Sequence, residues 1–196
     1  MKYLLLSIFI LILGVSWHMA ALAIVDSATD HFPAIYDIVI ERLPVIDLYG
    51  IGELAFFIYL AIFGFIFWRS RWPDLPSIIA MLGIFYGLRG FYLLLIPIGA
   101  PFDAPDIASR FVLYPYPTHA FFPGGHIGIM FIMAMMINNK TARYLLMTYV
   151  LLFGFGSMLT RAHYTVDIIG GLVLGYAVYA WGVKHLRDWI IKPKNT

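Results

Sequence analysis

The sequence predicts an all-α integral membrane protein, with one membrane domain over residues 1–196, six transmembrane helices and both termini in the cytoplasm. Three observations support this prediction: the composition, the apolar segments and the placement of basic residues. Of the 196 residues, 62% are hydrophobic and 12% are charged, with a mean hydropathy of +0.85. A soluble domain is usually about half apolar and a quarter charged, so this composition favours helices that face lipid.

The apolar residues form segments of the length that a bilayer requires. A spanning helix needs roughly 20 mostly apolar residues, and five segments reach or approach that length, whereas a sixth, the fourth in chain order, is shorter but free of charge. The six predicted spans cover residues 3–25, 50–68, 77–98, 124–137, 144–159 and 166–183. Prolines lie mainly between them, where they break no helix, and residues 33–43 are expected to form a short helix in the interface.

The basic residues predict the orientation, because cytoplasmic loops carry an excess of Lys and Arg. If the N-terminus is inside, the outer segments hold only Arg42, Arg110 and Arg161, and Arg89 lies inside the third span. The inner segments hold nine basic residues: Lys2, Arg69, Arg71, Lys140, Arg143, Lys184, Arg187, Lys192 and Lys194. Both termini are therefore predicted to be cytoplasmic.

Several classes of function conflict with the composition. A net charge of +2 spread over 196 residues disfavours a nucleic-acid partner. The chain has no cysteine, which excludes disulfides, thiolate metal sites and cysteine nucleophiles. The histidines are far apart in sequence, and no carboxylates besides Asp167 flank them in a metal-ligand pattern. We therefore predict no metal and no cofactor.

Ionisable residues at membrane depth are costly and often functional. The predicted topology gathers Glu53, His126, His163 and Asp167 near the outer face. His163 and Asp167 are four residues apart, so they share one side of a helical turn. A carboxylate in that position can hold one imidazole nitrogen and leave the other for nucleophilic catalysis. The alternative is a capping aspartate beside an interfacial histidine.

A glycine turn precedes the fourth span, with the sequence Pro123-Gly124-Gly125-His126. Two glycines allow close approach of a ligand to the backbone, and the N–H groups of a first helical turn favour an anion. His126 would reach the same anion. The alternative is an ordinary loop, and a small-residue pair in the last span, Gly171 and Gly175, is interpreted as a helix-packing site.

Together, P-G-G-H and the downstream H-Y-T-V-D-I resemble motifs of the type 2 phosphatidic acid phosphatase superfamily, and more closely its sphingomyelin synthase branch. That branch has S-G-H at one helix start and H-Y-[ST]-x-D-[VI] at another. The stretch L-P-V-I-D at residues 43–47, Glu53, and Arg89 followed by L-I-P at 95–97 are also similar to that branch. The resemblance covers about residues 43–176.

The resemblance implies a lipid phosphoryl or phospho-head-group transferase that acts through a phosphohistidine. His163 would be the nucleophile, Asp167 would orient it, His126 would protonate the leaving group, and Glu53 would belong to the same catalytic set. The partners would be a phospholipid donor, surrounding membrane lipids, and either a lipid hydroxyl or water as acceptor. The site would face the periplasm, the lumen or the exterior. A lipid phosphate phosphatase or phospholipase-like hydrolase and a non-catalytic lipid-binding relative remain alternatives.

The sequence departs from the family in its phosphate-binding residues. Gly124 stands where the family usually has serine, and Ser157 stands where the broader phosphatase group has an arginine. The substrate-binding set implied here is Gly124, Gly125, Arg89, Arg110, Arg161 and Tyr164. Arg89 could reach upward to the phosphate or pair with Glu53. Serine at position 124 is expected to be tolerated unless that residue has a positive φ.

Overall fold

The computed structural model describes residues 2–28, 32–46, 51–70, 74–101 and 122–186, and its helices correspond to the six predicted spans. They are α1 (Lys2–Ser27), α2 (Ile51–Ser70), α3 (Leu75–Leu95), α4 (Gly125–Met135), α5 (Lys140–Leu159) and α6 (Thr165–His185). Five of the helices in these ranges are long and apolar enough to cross a membrane, judged by length and composition. The chain therefore has the helices of a multi-pass integral membrane protein.

The helix ends follow from local backbone chemistry. Pro76 sits in the first turn of α3, where its missing N–H costs nothing. The same helix stops at Leu95, three residues before the predicted end, because Ile96 precedes Pro97 and a residue before proline disfavours helical backbone. At the start of α5, the side chain of Asn139 accepts the N–H of Ala142 at 3.0 Å, which is the usual helix N-cap bond.

The prediction of a short interfacial helix over residues 33–43 is wrong. The segment has no regular structure or forms turns, except for one 3₁₀ turn at Ile40–Arg42. The single turn starts after Asp37, whose Oδ1 accepts the N–H of Val39 at 2.9 Å and that of Ile40 at 3.3 Å, as in a helix N-cap. It ends at Arg42 because Leu43 precedes Pro44 and has extended backbone, as the residue before a proline prefers.

The short helix α4 lies at the centre and contacts α2, α3, α5 and α6. It has 11 residues, about 16 Å at helical rise, against roughly 30 Å of hydrocarbon in a bilayer. Most of its residues are buried, and the hydroxyl of Tyr59 on α2 donates to the Met130 carbonyl at 2.5 Å. Protein rather than lipid therefore surrounds α4.

Glycines bring α4 and α6 into backbone contact. A Cβ added to Gly171 would lie 2.5 Å from the Gly124 carbonyl oxygen, and one added to Gly175 would lie 2.9 Å from the Gly128 carbonyl oxygen. The two glycines on each helix are four residues apart, so each helix carries a stripe of small residues on one face. The interpretation of Gly171 and Gly175 as a packing pair is confirmed, and its partner stripe is Gly124 and Gly128.

A second close crossing joins α1 to α3. A Cβ on Gly14 would lie 1.9 Å from the Gly83 carbonyl oxygen, and one on Gly90 would lie 2.7 Å from the Trp17 ring. Further along α1, Leu22 is buried in a cluster that includes Leu93 of α3. The first helix is therefore packed along most of the third.

The α4–α6 crossing predicts opposite effects for two glycine-to-alanine substitutions. Gly171→Ala should lower thermal stability in micelles by about 1–3 kcal/mol, because the new methyl group meets backbone that cannot move aside. Gly156→Ala on α5 is the matched control, since its Cβ would meet nothing within 4 Å. Alanine is the better helix former by roughly 0.5–1 kcal/mol, so the control should be neutral or stabilising. Equal melting temperatures for the two variants would contradict the packing described here.

Candidate functional site

The site begins at the turn between α5 and α6, where Asp167 binds two groups with one oxygen. Its Oδ2 accepts the Tyr164 N–H at 2.9 Å and lies 3.3 Å from Nδ1 of His163. Asp167 is fully buried and the His163 side chain is 12% exposed. The carboxylate therefore caps α6 and also contacts the histidine ring, and the role of this contact in catalysis stays a prediction.

A backbone hydrogen bond joins this turn to the glycine turn. The N–H of Gly124 donates to the carbonyl oxygen of Asp167 at 2.9 Å, and α4 begins at the next residue. Pro123 and Gly124 are buried. The starts of α4 and α6 therefore lie side by side, and the two sequence motifs form one site.

His126 lies in the first turn of α4 between aromatic rings from two other helices. Its ring centroid is 4.5 Å from that of Phe56 on α2 and 6.2 Å from that of Phe153 on α5. Arg89 lies beside the preceding residue, because a Cβ on Gly125 would be 3.1 Å from its Nε. His163 contacts Asp167, whose carbonyl oxygen accepts the Gly124 N–H. Basic side chains from α4, the α5–α6 turn and α3 thus lie around the start of α4.

Arg89 of α3 lies against the glycine turn and is buried, with 7% of its surface exposed. Its Nε donates to the Pro123 carbonyl at 2.6 Å, and the same atom would lie 3.1 Å from a Cβ on Gly125. Its Nη1 is 2.8 Å from Nε2 of His18 on α1. The structure therefore places this guanidinium at the turn that carries His126.

Arg161, the second arginine of the predicted phosphate-binding set, binds elsewhere. Its guanidinium donates to the Ile40 carbonyl and, at 3.1 Å, to the Leu43 carbonyl. The residue is buried and has a φ of 59° at the end of α5. Its hydrogen bonds stabilise the segment between α1 and α2. Arg110, the third arginine, lies outside the described residues.

Two further predicted residues occupy different positions around the site. Glu53 is half-buried in the first turn of α2, three residues before Phe56 and thus on the same helix face. Tyr164 is fully buried, and its hydroxyl oxygen accepts the Ile35 N–H at 3.1 Å. Burial raises the pKa of the Tyr164 hydroxyl. Tyr164 is thus held by the segment between α1 and α2, whereas Glu53 lies one helical turn from Phe56, whose ring contacts His126.

Asp37, in the segment between α1 and α2, binds the start of α6 and was missed by the sequence analysis. Its Oδ2 accepts the Thr165 N–H at 2.6 Å and its Oδ1 accepts the Thr165 hydroxyl at 3.1 Å. Burial alone would raise the pKa of Asp37, but the surrounding donors, led by the Thr165 N–H, lower it below its ordinary value. No sequence pattern links two residues so far apart.

Comparison with known proteins adds one finding. The family model of the PAP2 superfamily matches residues 100–191, a range that includes the glycine turn, His126, His163 and Asp167. Glu53, Arg89 and the segment between α1 and α2 precede the matched range. No curated protein and no solved structure matched the chain. Members of this superfamily are generally phosphatases or phosphotransferases, so the match suggests such activity on lipids.

The geometry at Gly124 revises the expectation that serine would be tolerated there. Its φ is −57°, so a positive φ is not the obstacle, but a Cβ would lie 2.9 Å from the Asp167 carbonyl oxygen.

Gly124→Ser should therefore separate the starts of α4 and α6, costing about 1–3 kcal/mol of stability and lowering activity. The measurement is the melting temperature and the turnover of Gly124→Ser. Gly52→Ser is the control, since a Cβ at Gly52 would meet nothing within 4 Å. Wild-type values for both variants would refute it.

The Asp37 carboxylate predicts a pH-dependent contribution to stability. A depressed folded pKa means that the ionised form stabilises the fold above about pH 4 and that this stability is lost as the pH falls through the folded pKa. Asp37→Asn should therefore melt below wild type at pH 7, with the difference shrinking in acid. Glu41→Gln, in the same segment and exposed, is the control. A constant difference from pH 7 to pH 3 would contradict the prediction.

Proposed function

We propose that this protein is a membrane lipid phosphotransferase, similar to sphingomyelin synthases, that transfers a phosphoryl or phospho-head-group through a phosphohistidine. The observation that carries the proposal is the His163–Asp167 pair bonded to the glycine start of α4 through Gly124. A nucleophile held by an orienting carboxylate beside a helix N-terminus suits attack on an anionic phosphate. The PAP2 match supports the same chemistry.

The proposed topology has six spans, with α4 as a short buried one, both termini in the cytoplasm and the site at the outer face. The excess of Lys and Arg in the inner segments supports this orientation. Because α4 is shorter than the bilayer core is thick, at least one of its ends lies within the membrane, and we propose that this is the N-terminal end, below the outer surface. A lipid head group would enter a recess above His126, while its acyl chains stay in the outer leaflet.

In the first step, Nε2 of His163 attacks phosphorus. A P–N bond forms, the P–O bond to the leaving group breaks, and His126 gives a proton to the departing oxygen. Asp167 holds Nδ1 and stabilises the positive charge that develops on the His163 ring. Glu53 is proposed to support His126 from the α2 side, one turn from Phe56.

In the second step, a hydroxyl oxygen attacks the phosphohistidine. Its proton passes to His126, a new P–O bond forms and the P–N bond breaks, which restores both histidines. A lipid hydroxyl as acceptor makes the enzyme a transferase. Water as acceptor makes it a lipid phosphatase or a phospholipase-like hydrolase, and the PAP2 match favours that second candidate equally well.

The electrostatics of the site favour an anion as ligand. Arg89, His126 and His163 lie around the starts of α4 and α6, and a phosphate would offset the mutual repulsion of any positive charges among them. Phosphoryl transfer depends mainly on positioning and charge neutralisation. We therefore assign phosphate binding to Arg89 and to the first N–H groups of α4 at Gly125 and His126.

The test uses the purified full chain in micelles with a phospholipid labelled in its head group. Free phosphate, free head-group phosphate and new lipid are followed separately, with and without ceramide or diacylglycerol. Transfer predicts a new labelled lipid only when the acceptor is present. Release of water-soluble label without acceptor would identify the hydrolase. Absence of turnover on all donors would support a non-catalytic lipid-binding relative.

His163→Ala should abolish turnover, by at least about 1000-fold, because no other group can replace a covalent nucleophile. The melting temperature should change little, since the Asp167 carboxylate still caps α6 through the Tyr164 N–H. His185→Ala, at the exposed opposite end of α6, is the control and should keep full activity. Full activity in His163→Ala would rule out the phosphohistidine scheme.

A further inference from the structure

The feature that the proposed chemistry does not use is a buried histidine on the first helix. His18 is 5% exposed, and its ring lies between α1 and α3, with its centroid 5.1 Å from that of Tyr86. Nε2 of this ring is 2.8 Å from Nη1 of Arg89, and Nδ1 is 3.4 Å from the same atom. His18 therefore makes a polar contact with a buried guanidinium in addition to packing between the two helices.

The hydrogen-bonding roles in this pair follow from the chemistry of arginine. A guanidinium has five N–H donors and no acceptor, and it stays charged in proteins. The closer ring nitrogen, Nε2 of His18, must therefore accept from Nη1, which requires a neutral ring with its proton on Nδ1. His18 thus contributes a directional acceptor rather than a charge.

The pair is continuous with the glycine turn of the candidate site. Arg89 donates through Nε to the Pro123 carbonyl at 2.6 Å, while Nη1 faces His18. Two contacts on different nitrogens fix both the position and the rotation of a planar group. Gly125 permits this approach, because a Cβ there would lie 3.1 Å from Nε and 3.2 Å from Cζ.

We propose that His18 is a positioning residue that orients the Arg89 guanidinium for binding of the substrate phosphate. Through it, α1 becomes part of the anion site, although α1 lies outside the residues that match the PAP2 superfamily. The inference rests on the proposed function insofar as Arg89 binds phosphate. Without His18, the guanidinium keeps its bond to Pro123 but loses the contact that sets its rotation.

The experiment measures binding of inorganic phosphate to the full chain in micelles by calorimetry, together with kcat and KM for the lipid donor. His18→Leu removes the acceptor but keeps an apolar side chain, and should weaken phosphate binding about tenfold or more. His18→Gln restores an acceptor oxygen and should recover most of the affinity. In an Arg89→Lys background, His18→Leu should have little further effect, because the two residues act as one unit.

Leu22→Ala is the matched control. Leu22 lies one turn after His18 and packs between α1 and α3, so the substitution loosens the same interface without removing the acceptor. It should lower the melting temperature while leaving phosphate affinity unchanged. If Leu22→Ala weakens phosphate binding as much as His18→Leu, general loosening explains the effect and the inference fails.

The two proposals fail in different ways. Wild-type phosphate affinity in a folded His18→Leu variant would overturn the role of His18 and leave the lipid chemistry standing. Weakened phosphate binding in that variant, combined with no turnover by the wild type on any lipid, would support His18 and overturn the proposed function. If His18→Leu does not fold, the affinity of His18→Gln decides: a loss equal to that of Arg89→Lys would overturn the role of the acceptor.

Discussion

The site depends on one backbone hydrogen bond, from the Gly124 N–H to the Asp167 carbonyl at 2.9 Å. It fixes the distance between two helix starts that carry the basic and acidic groups of the site. The bond forms only because two glycine stripes let α4 and α6 meet backbone to backbone. In a membrane, where lipid provides little hydrophobic drive for helix association, such close packing is a main source of stability. The geometry of the candidate site and the packing of α4 against α6 therefore depend on the same contact.

Two separate sets of hydrogen bonds hold the turns on either side of this contact. The segment between α1 and α2 binds the α5–α6 turn through Asp37, Tyr164 and Arg161. Arg89 of α3 binds the glycine turn through the Pro123 carbonyl. Each of the two irregular turns that precede α4 and α6 is therefore tied to a distant part of the chain.

The sequence predicted what depends on composition, local spacing and motif. Helix number and approximate bounds followed from apolar length, and the four-residue spacing predicted the contact between His163 and Asp167 that the structure shows. Contacts between distant segments were not predictable in this way. The partners of Arg161 and the bond between Asp37 and Thr165 join residues more than one hundred positions apart. For Gly124, the sequence suggested a backbone-torsion effect, whereas the actual constraint is the nearby α6 backbone, which becomes visible only when both helices are placed.

Asp167 serves two purposes with a single oxygen, and this has a consequence for how related chains diverge. The carboxylate Oδ2 caps α6 and holds His163, while Oδ1 is buried with no hydrogen-bond partner in the part of the chain that the structure describes. In a relative without the proposed phosphohistidine chemistry, α6 would still need its cap, so selection on folding would retain the aspartate. Loss of the histidine would leave the bond between the carboxylate and the Tyr164 N–H in place. Among relatives of this protein, retention of the imidazole, rather than of the acid, should therefore follow the proposed chemistry.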